Sequence, residues 1–170
     1  MNSFPNGVGE IGNDGCLCHG ASNSDTKISI SGLPEKFESA TNYSLQLTIS
    51  NEEIARNNQS AQGGFRIIVN IGVLYFNNSE GIIIDDGWTH QESSNQQRIW
   101  NFSWLSPDDN TTMAKLLVYG NAVNGNQQQT GDNWNELEVY IPGVQNFDPI
   151  PTETKICLLY TSDAADDRLS

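Results

Sequence analysis

The stretch that decides the fold is "YSLQLTIS" (43–50), in which apolar and polar side chains alternate without a break. Its apolar positions are Tyr43, Leu45, Leu47 and Ile49, and its polar positions are Ser44, Gln46, Thr48 and Ser50. Because successive side chains of a β-strand point to opposite faces, this period of two predicts a strand with one buried face. Such a strand belongs in a sheet that packs on a core by one side.

Six further stretches carry strand-like patterns. They are "TKISIS" (26–31), "FRIIVNI" (65–71), "GIIID" (81–85), "RIWNFSWL" (98–105), "AKLLVYG" (114–120) and "ELEVYI" (136–141). Clusters of Gly, Pro, Asn and Asp separate them, as expected for turns, and only "SNEEIAR" (50–56) is compatible with a short helix. Seven short strands with turns between them predict an all-β fold, an antiparallel immunoglobulin-like β-sandwich.

The predicted sandwich covers residues 26–142. Residues 1–25 are expected to form an extended N-terminal segment, and residues 143–156, which include "FDPIPTETK" (147–155), have the Pro and Thr content of a linker. The period-two pattern also predicts the residues of the core. They are Leu45, Leu47, Phe65, Ile67, Val69, Trp100, Phe102, Leu117 and Val139.

Composition excludes several classes of function. The chain has 170 residues and a net charge of −13, which argues against nucleic-acid binding, because that binding depends on Lys and Arg neutralising phosphates. No apolar run approaches the roughly 18 residues of a membrane span. There is no serine in a nucleophile elbow and no phosphate loop, and the carboxylates fall in turns. We therefore expect a protein that is not an enzyme.

The last stretch, "CLLYTSDAADDRLS" (157–170), does not resemble the rest of the chain. It is similar to the conceptual translation of a transposase-type sequencing adapter, and segments of foreign origin are set aside before fold reasoning. We expect these residues to be a non-native tail, so that the natural sequence ends near Ile156. We also expect a signal peptide to have been lost upstream of Met1.

Several motifs follow one another in a familiar order. "GNDGCLCHG" (12–20) precedes "WTH" (88–90), "WNFSWLSP" (100–107) and "LLVYGNAVNGNQQQTGDN" (116–133). This order resembles the reeler-like, "choice-of-anchor" β-sandwich domains of bacterial and archaeal surface proteins, and the resemblance covers residues 5–142. It implies an exported, noncatalytic module, adhesive or structural, held at the cell surface by a C-terminal anchor that is missing here. Its extracellular partners remain unknown.

The N-terminal motif contains Cys16, Cys18 and His19. Domains of the family usually carry C-x-x-C-H at this place, which is also the attachment pattern of c-type haem. This chain has C-x-C-H, one residue shorter, so the two thioether bonds and the axial histidine no longer have the usual reach. Covalent haem is therefore in doubt.

Two alternatives to haem remain open for this motif. Cys16 and Cys18 are a candidate disulfide, since the flanking glycines permit a bend and an exported protein favours oxidation. The same thiolates with His19 and His90, the only other histidine, are candidate ligands of copper or zinc, or partners of a haem. Of these outcomes we favour a module without any cofactor.

Two weaker patterns complete the candidate sites. Asn121, Asn124, Asn126 and Asp132 offer oxygen ligands in one loop, although a calcium loop normally has several carboxylates and a turn stabilised by Asn side chains is favoured. The chain also has five N-x-S/T glycosylation patterns, which suit an exported protein. Their acceptors are Asn42, Asn58, Asn77, Asn101 and Asn110.

Overall fold

The computed structural model of the chain describes residues 22–54, 61–126, 128 and 130–151. Within these residues the chain forms nine β-strands, with one 3₁₀ turn at Glu92–Ser94. The strands are β1 (Lys27–Ser31), β2 (Asn42–Ser50), β3 (Gly63–Val69), β4 (Val73–Phe76), β5 (Gly81–Ile84), β6 (Gly87–His90), β7 (Ile99–Leu105), β8 (Met113–Ala122) and β9 (Asn133–Pro142).

The strands form two sheets. One has four strands in the order β1-β2-β7-β4, and the other has five in the order β5-β6-β3-β8-β9. Every ladder between neighbouring strands is antiparallel. The two sheets enclose one core of buried apolar residues. This confirms the predicted all-β, antiparallel sandwich.

The register of β2 and β7 explains how the alternating patterns build the core. Leu45 lies opposite Phe102, and Leu47 lies opposite Trp100. All four side chains are buried. Because opposed residues of an antiparallel pair point to the same face, the apolar positions of the two strands merge into one continuous layer. The polar positions of both strands form the outer face of the same sheet.

An aromatic cluster joins the two sheets at the centre of the core. Phe65 of β3 has its ring centroid 5.0 Å from the rings of both Phe76 and Trp100. Phe76 in turn stacks on Phe102 at 4.8 Å. Phe65 belongs to the five-stranded sheet and its partners to the four-stranded one, so these contacts hold the sheets together. Ring pairs of this kind contribute about 0.5–1.5 kcal/mol each beyond their burial.

The chain passes from one sheet to the other between β3 and β4. Gly72 makes this possible with a φ of +79°, a conformation that only glycine adopts at little cost. A Cβ atom at Gly72 would lie 2.4 Å from the indole nitrogen of Trp104. That indole donates its N–H to the carbonyl of Ile71 at 3.2 Å. Gly72 is therefore required both for its dihedral angles and for the packing of Trp104.

Most of the predicted core is found inside. Leu45, Leu47, Phe65, Ile67, Trp100 and Phe102 are buried, and Val69 and Val139 are half-buried against the core. The prediction for Leu117 was wrong. The buried positions of β8 are its even-numbered residues, Leu116 among them, whereas Leu117 is half-buried on the outer face. Because the two leucines in "AKLLVYG" are adjacent and equally apolar, the sequence alone does not show which of them points into the core.

The stretch compatible with a helix does not form one over its described part. At Asn51–Ile54 the side chain of Asn51 accepts hydrogen bonds from the backbone N–H groups of Glu53 and Ile54, both at 3.0 Å. This is an Asx turn, which competes locally with helix formation. The sequence patterns also did not indicate β4 and β6, which have four residues each.

Buried polar contacts fix both ends of the described sandwich. Thr26 is fully buried, and its hydroxyl donates to the carbonyl of Asn133 at 2.9 Å. At the other end, residues that the sequence assigned to a linker still contact the domain: Gly143 pairs with Phe37, and buried Asn146 donates to the carbonyl of Thr111 at 2.7 Å. Beyond Asn146, residues 147–151 are exposed.

Candidate functional site

The Cys/His motif lies outside the described residues. Cys16, Cys18 and His19 therefore stay predictions, as do the candidate disulfide and the shared site with His90. The fourth candidate residue, His90, is described and closes strand β6. Among residues 22–54, 61–126, 128 and 130–151, no group of three or more His, Cys, Asp and Glu side chains is arranged to hold a metal ion.

His90 lies against the backbone of β3. Its Nδ1 atom is 3.2 Å from the backbone nitrogen of Phe65 and accepts that N–H bond. The imidazole also fills the space beside Gly64, since a Cβ atom there would lie 2.4 Å from its Cε1 atom. The side chain is half-buried. In a regular ladder, a backbone carbonyl of β6 would accept this N–H bond. Here the imidazole of His90 accepts it instead.

Burial lowers the pKa of His90 below 6.5, and its contact with the Phe65 backbone opposes this only in part. The neutral form with its proton on Nε2 is therefore the one that fits, because Nδ1 must be free to accept. A metal ligated through Nε2 requires the proton on Nδ1 instead. The Phe65 carbonyl is 3.4 Å from Nδ1. A proton on Nδ1 would therefore replace the 3.2 Å contact with the Phe65 N–H by this longer contact with the Phe65 carbonyl. Whether His90 binds a metal together with the Cys motif stays a prediction.

The asparagine loop uses its oxygen atoms on its own backbone. Asp132 accepts from the N–H of Asn124 at 3.0 Å, and Asn124 accepts from the N–H of Asn126 at 2.9 Å. The Oδ1 atom of Asn126 accepts from the N–H of Gln128 at 2.8 Å. Asn121 stands apart on β8, opposite Gly64 and Trp134. These bonds are those of a turn stabilised by Asn side chains.

The structure places four of the five glycosylation acceptors, while Asn58 lies outside the described residues. Asn77 is exposed in the turn after β4, and Asn110 is half-buried in the turn after β7. Asn42 and Asn101 lie on strands and are exposed on the outer face of the four-stranded sheet. Asn101 is already engaged there, because its Oδ1 atom accepts from Gln46 at 2.9 Å.

That outer face contains a candidate site that no sequence motif indicates. It holds a depression of about 440 Å³, which we call the polar groove. The polar side chains along it are Ser31, Ser44, Gln46, Asn77, Asn101 and Ser103, and Tyr75 of β4 contributes the aromatic ring. The lining residues carry no formal charge, although the chain as a whole has a net charge of −13.

The ladder positions explain why these side chains meet. Gln46 of β2 lies opposite both Ser31 of β1 and Asn101 of β7. In the next row Ser103 lies opposite Ser44 and Tyr75. Strands in a sheet are about 4.8 Å apart, so each row crosses roughly 10 Å of surface. The groove therefore presents two parallel rows of amides, hydroxyls and one exposed ring.

One signal in the sequence pointed to this face. The outward positions of "YSLQLTIS" are all uncharged, and so are Asn101 and Ser103 between the aromatic residues of β7. An outer face usually carries charged side chains in an acidic protein, so their absence from two adjacent strands is informative. The pairing of β2 with β7, which period-two patterns do not specify, was needed to bring them together.

Arg66 is one of two arginines among the described residues that have only 2% of their surface exposed, the other being Arg98. Arg66 lies on the outer face of the five-stranded sheet, opposite Thr89 and Tyr119. Its guanidinium contacts the carboxylate of Asp86 at 2.5 Å and donates to the carbonyl of Ile84 at 3.2 Å. These contacts fasten the β5–β6 hairpin to β3, which is a structural role.

Comparisons with known proteins give resemblance at the level of architecture. No protein-family model matches the chain, and no curated protein matches it. Among solved structures, it is similar to a reeler domain of human F-spondin, with 14% identity and a TM-score of 0.47 over 72% of this chain and 90% of that one.

Two bacterial structures are also similar to the chain. A conjugate transposon protein from Bacteroides vulgatus has 11% identity and a TM-score of 0.45 over 74% of this chain and 91% of that one. A conjugative transposon lipoprotein from Bacteroides eggerthii has 11% identity and a TM-score of 0.43 over 70% of this chain and 98% of that one.

No helix within the described part of the chain is long and apolar enough to cross a membrane.

Proposed function

We propose that this chain is an exported, noncatalytic module of the cell surface that acts by adhesion. The polar groove is the observation that supports this function best. It is a shallow, uncharged depression on the face of a sheet, and its strand side chains are positioned by ladders to the neighbouring strands. Binding sites are typically concave surfaces on which a few polar groups fix the orientation of a ligand.

The arrangement of the groove favours binding over chemistry. Its polar atoms are amides and hydroxyls, which donate and accept hydrogen bonds but do not ionise near neutral pH. Tyr75 is half-exposed and is the one titratable side chain among the lining residues. General acid–base catalysis needs a group that exchanges protons near the working pH. The same atoms suit recognition of a polar, uncharged surface.

The course of the chain supports display at a distance from an anchor. The sandwich ends where Asn146 is held by the carbonyl of Thr111. The chain then runs through exposed residues, with Phe147 89% exposed and Ile150 51% exposed. A Pro-containing segment that leaves a closed domain in this way acts as a spacer. We propose that it joined the sandwich to a C-terminal anchor, with export by a signal peptide.

Attachment of coated particles tests the adhesive function. Beads carrying the full chain are passed over intact bacterial cells, extracellular matrix and polysaccharide films, and beads carrying serum albumin serve as the control. We expect the coated beads to be retained on at least one surface, with the surface chemically unchanged after release. Retention equal to that of albumin on every surface would refute an adhesive role.

A further inference from the structure

We infer that the polar groove binds an uncharged carbohydrate, an inference that rests on the adhesive function proposed above. Sugars expose many hydroxyl groups and, on the faces of the ring, patches of C–H bonds. A site for them therefore needs side chains that both donate and accept hydrogen bonds, together with an aromatic ring. The groove contains both kinds of group within one shallow depression.

The Gln46–Asn101 pair supplies the hydrogen-bonding chemistry. Gln46 Nε2 donates to Asn101 Oδ1 at 2.9 Å, and both residues are exposed. The bond fixes the orientation of both amides, so that Gln46 Oε1 is left as an acceptor and Asn101 Nδ2 as a donor. Adjacent hydroxyls of a sugar act as donor and acceptor in turn, and such a pair complements them. Fixing the amides beforehand also reduces the entropy lost on binding.

Tyr75 supplies the aromatic surface. It lies on β4, directly opposite Ser103, and 50% of its surface is exposed. Leaving half of a tyrosine in water has a cost in free energy that ligand binding would recover. The face of an aromatic ring carries a partial negative charge and attracts weakly positive C–H groups. The ring thus offers a platform beside the amide pair.

The charge of the groove selects among ligands. Its lining residues include no Lys, Arg or His, and the chain has a net charge of −13. An anionic polysaccharide would meet a repulsive field with no local cation to offset it. The nearest cation on β1, Lys27, lies opposite Ser50 at the far end of the sheet. An extended peptide would pair with a strand edge and not with a sheet face. A neutral oligosaccharide is the ligand class that remains compatible.

Titration calorimetry with defined neutral oligosaccharides tests the inference. The panel contains short glucans, mannans, xylans and N-acetylglucosamine oligomers, with heparin and polygalacturonate oligomers as anionic controls. We expect binding of at least one neutral oligomer to the full chain, and none of the anionic ones. Tyr75→Ala should weaken that binding by about tenfold, since stacking contributes about 1.5 kcal/mol. Tyr75→Phe keeps the ring and should change it little.

The outcomes separate this inference from the proposed function. If the coated beads are retained on a surface but the chain binds no neutral oligomer, the carbohydrate inference is overturned and the adhesive function stands. Binding that survives Tyr75→Ala unchanged would overturn the assignment to the polar groove, and a preference for the anionic oligomers would overturn the ligand class. Tyr75 is exposed on an edge strand, so unchanged thermal melting of both variants is the check on folding.

Discussion

The imidazole of His90 accepts the backbone N–H bond of Phe65, with 3.2 Å between Nδ1 and the amide nitrogen. A side chain here takes the place of a strand carbonyl and extends the contact between β6 and β3. His90 therefore takes part in the contact between these two strands, and its shared site with the Cys motif stays a prediction. Its role explains why Gly64 has no side chain, since the ring occupies that space.

The first prediction concerns pH. Burial lowers the pKa of His90 below its value of 6.5 in the unfolded chain, so the unfolded state takes up a proton that the folded state resists. Stability from this residue is therefore complete above about pH 6.5 and decreases as the pH falls below it. We expect a lower urea midpoint at pH 5.5 than at pH 7.5. His90→Asn, which keeps an acceptor but does not titrate, should flatten this difference.

A pH dependence that is the same in His90→Asn as in the wild type would assign the effect to other groups. His90→Ala is a poor substitute for this control, because it removes the acceptor from the buried N–H of Phe65 as well as the titration. Losing the partner of a buried hydrogen bond costs about 1–3 kcal/mol.

The fold was predictable from the sequence because its long strands alternate cleanly. β2 has nine residues and β7 has seven, and both have polar side chains on the outer face of the sheet. Turns rich in Gly and Asn separate the elements. The alternation failed in two places. The patterns did not indicate the four-residue strands β4 and β6, and adjacent leucines in β8 make both faces apolar.

The second prediction tests that correction in β8. Leu116 is fully buried and belongs to the core, whereas its neighbour Leu117 is half-buried on the outer face. Leu116→Ala should cost about 3 kcal/mol of unfolding free energy, because it leaves a cavity. Leu117→Ala should cost about 1 kcal/mol, since less apolar surface is lost. Equal costs in chemical denaturation would mean that the register of β8 is wrong.

The third prediction concerns residues 157–170, which resemble translated adapter sequence. The described sandwich is closed before this point, with Gly143 and Val144 already hydrogen-bonded to Thr112 and Phe37. Deleting the tail should leave the melting temperature unchanged within error. A fall of several degrees would show that the tail packs on the domain.

The fourth prediction concerns the Cys/His motif, which remains a prediction from sequence. We expect Cys16 and Cys18 to form a disulfide, so a Cys157→Ser variant should react with thiol reagents only after reduction and denaturation. Two accessible thiols in the native, unreduced protein would contradict this. A Soret band that resists acid–acetone extraction would establish covalent haem instead, and stoichiometric copper or zinc would establish a metal site.

The candidate site was less accessible to sequence reasoning than the fold. Gln46 and Asn101 are 55 positions apart, and only the pairing of β2 with β7 brings them into hydrogen-bonding distance. Strand order depends on long-range packing that no local pattern records. The Cys motif, by contrast, was conspicuous in the sequence because its residue types are rare. The rare residue types therefore pointed to the N-terminal motif, whereas the polar groove lies on the outer face of the four-stranded sheet.

The most direct test of adhesion through the polar groove is a matched pair of surface variants. Ser44 and Ser50 are exposed on the same strand and the same face, but only Ser44 lines the groove. In the bead assay under flow, Ser44→Arg should abolish retention, because a long cation fills the uncharged groove, while Ser50→Arg should be retained like the wild type. Equal retention of both variants, with unchanged melting temperatures, would contradict the assignment of adhesion to this face.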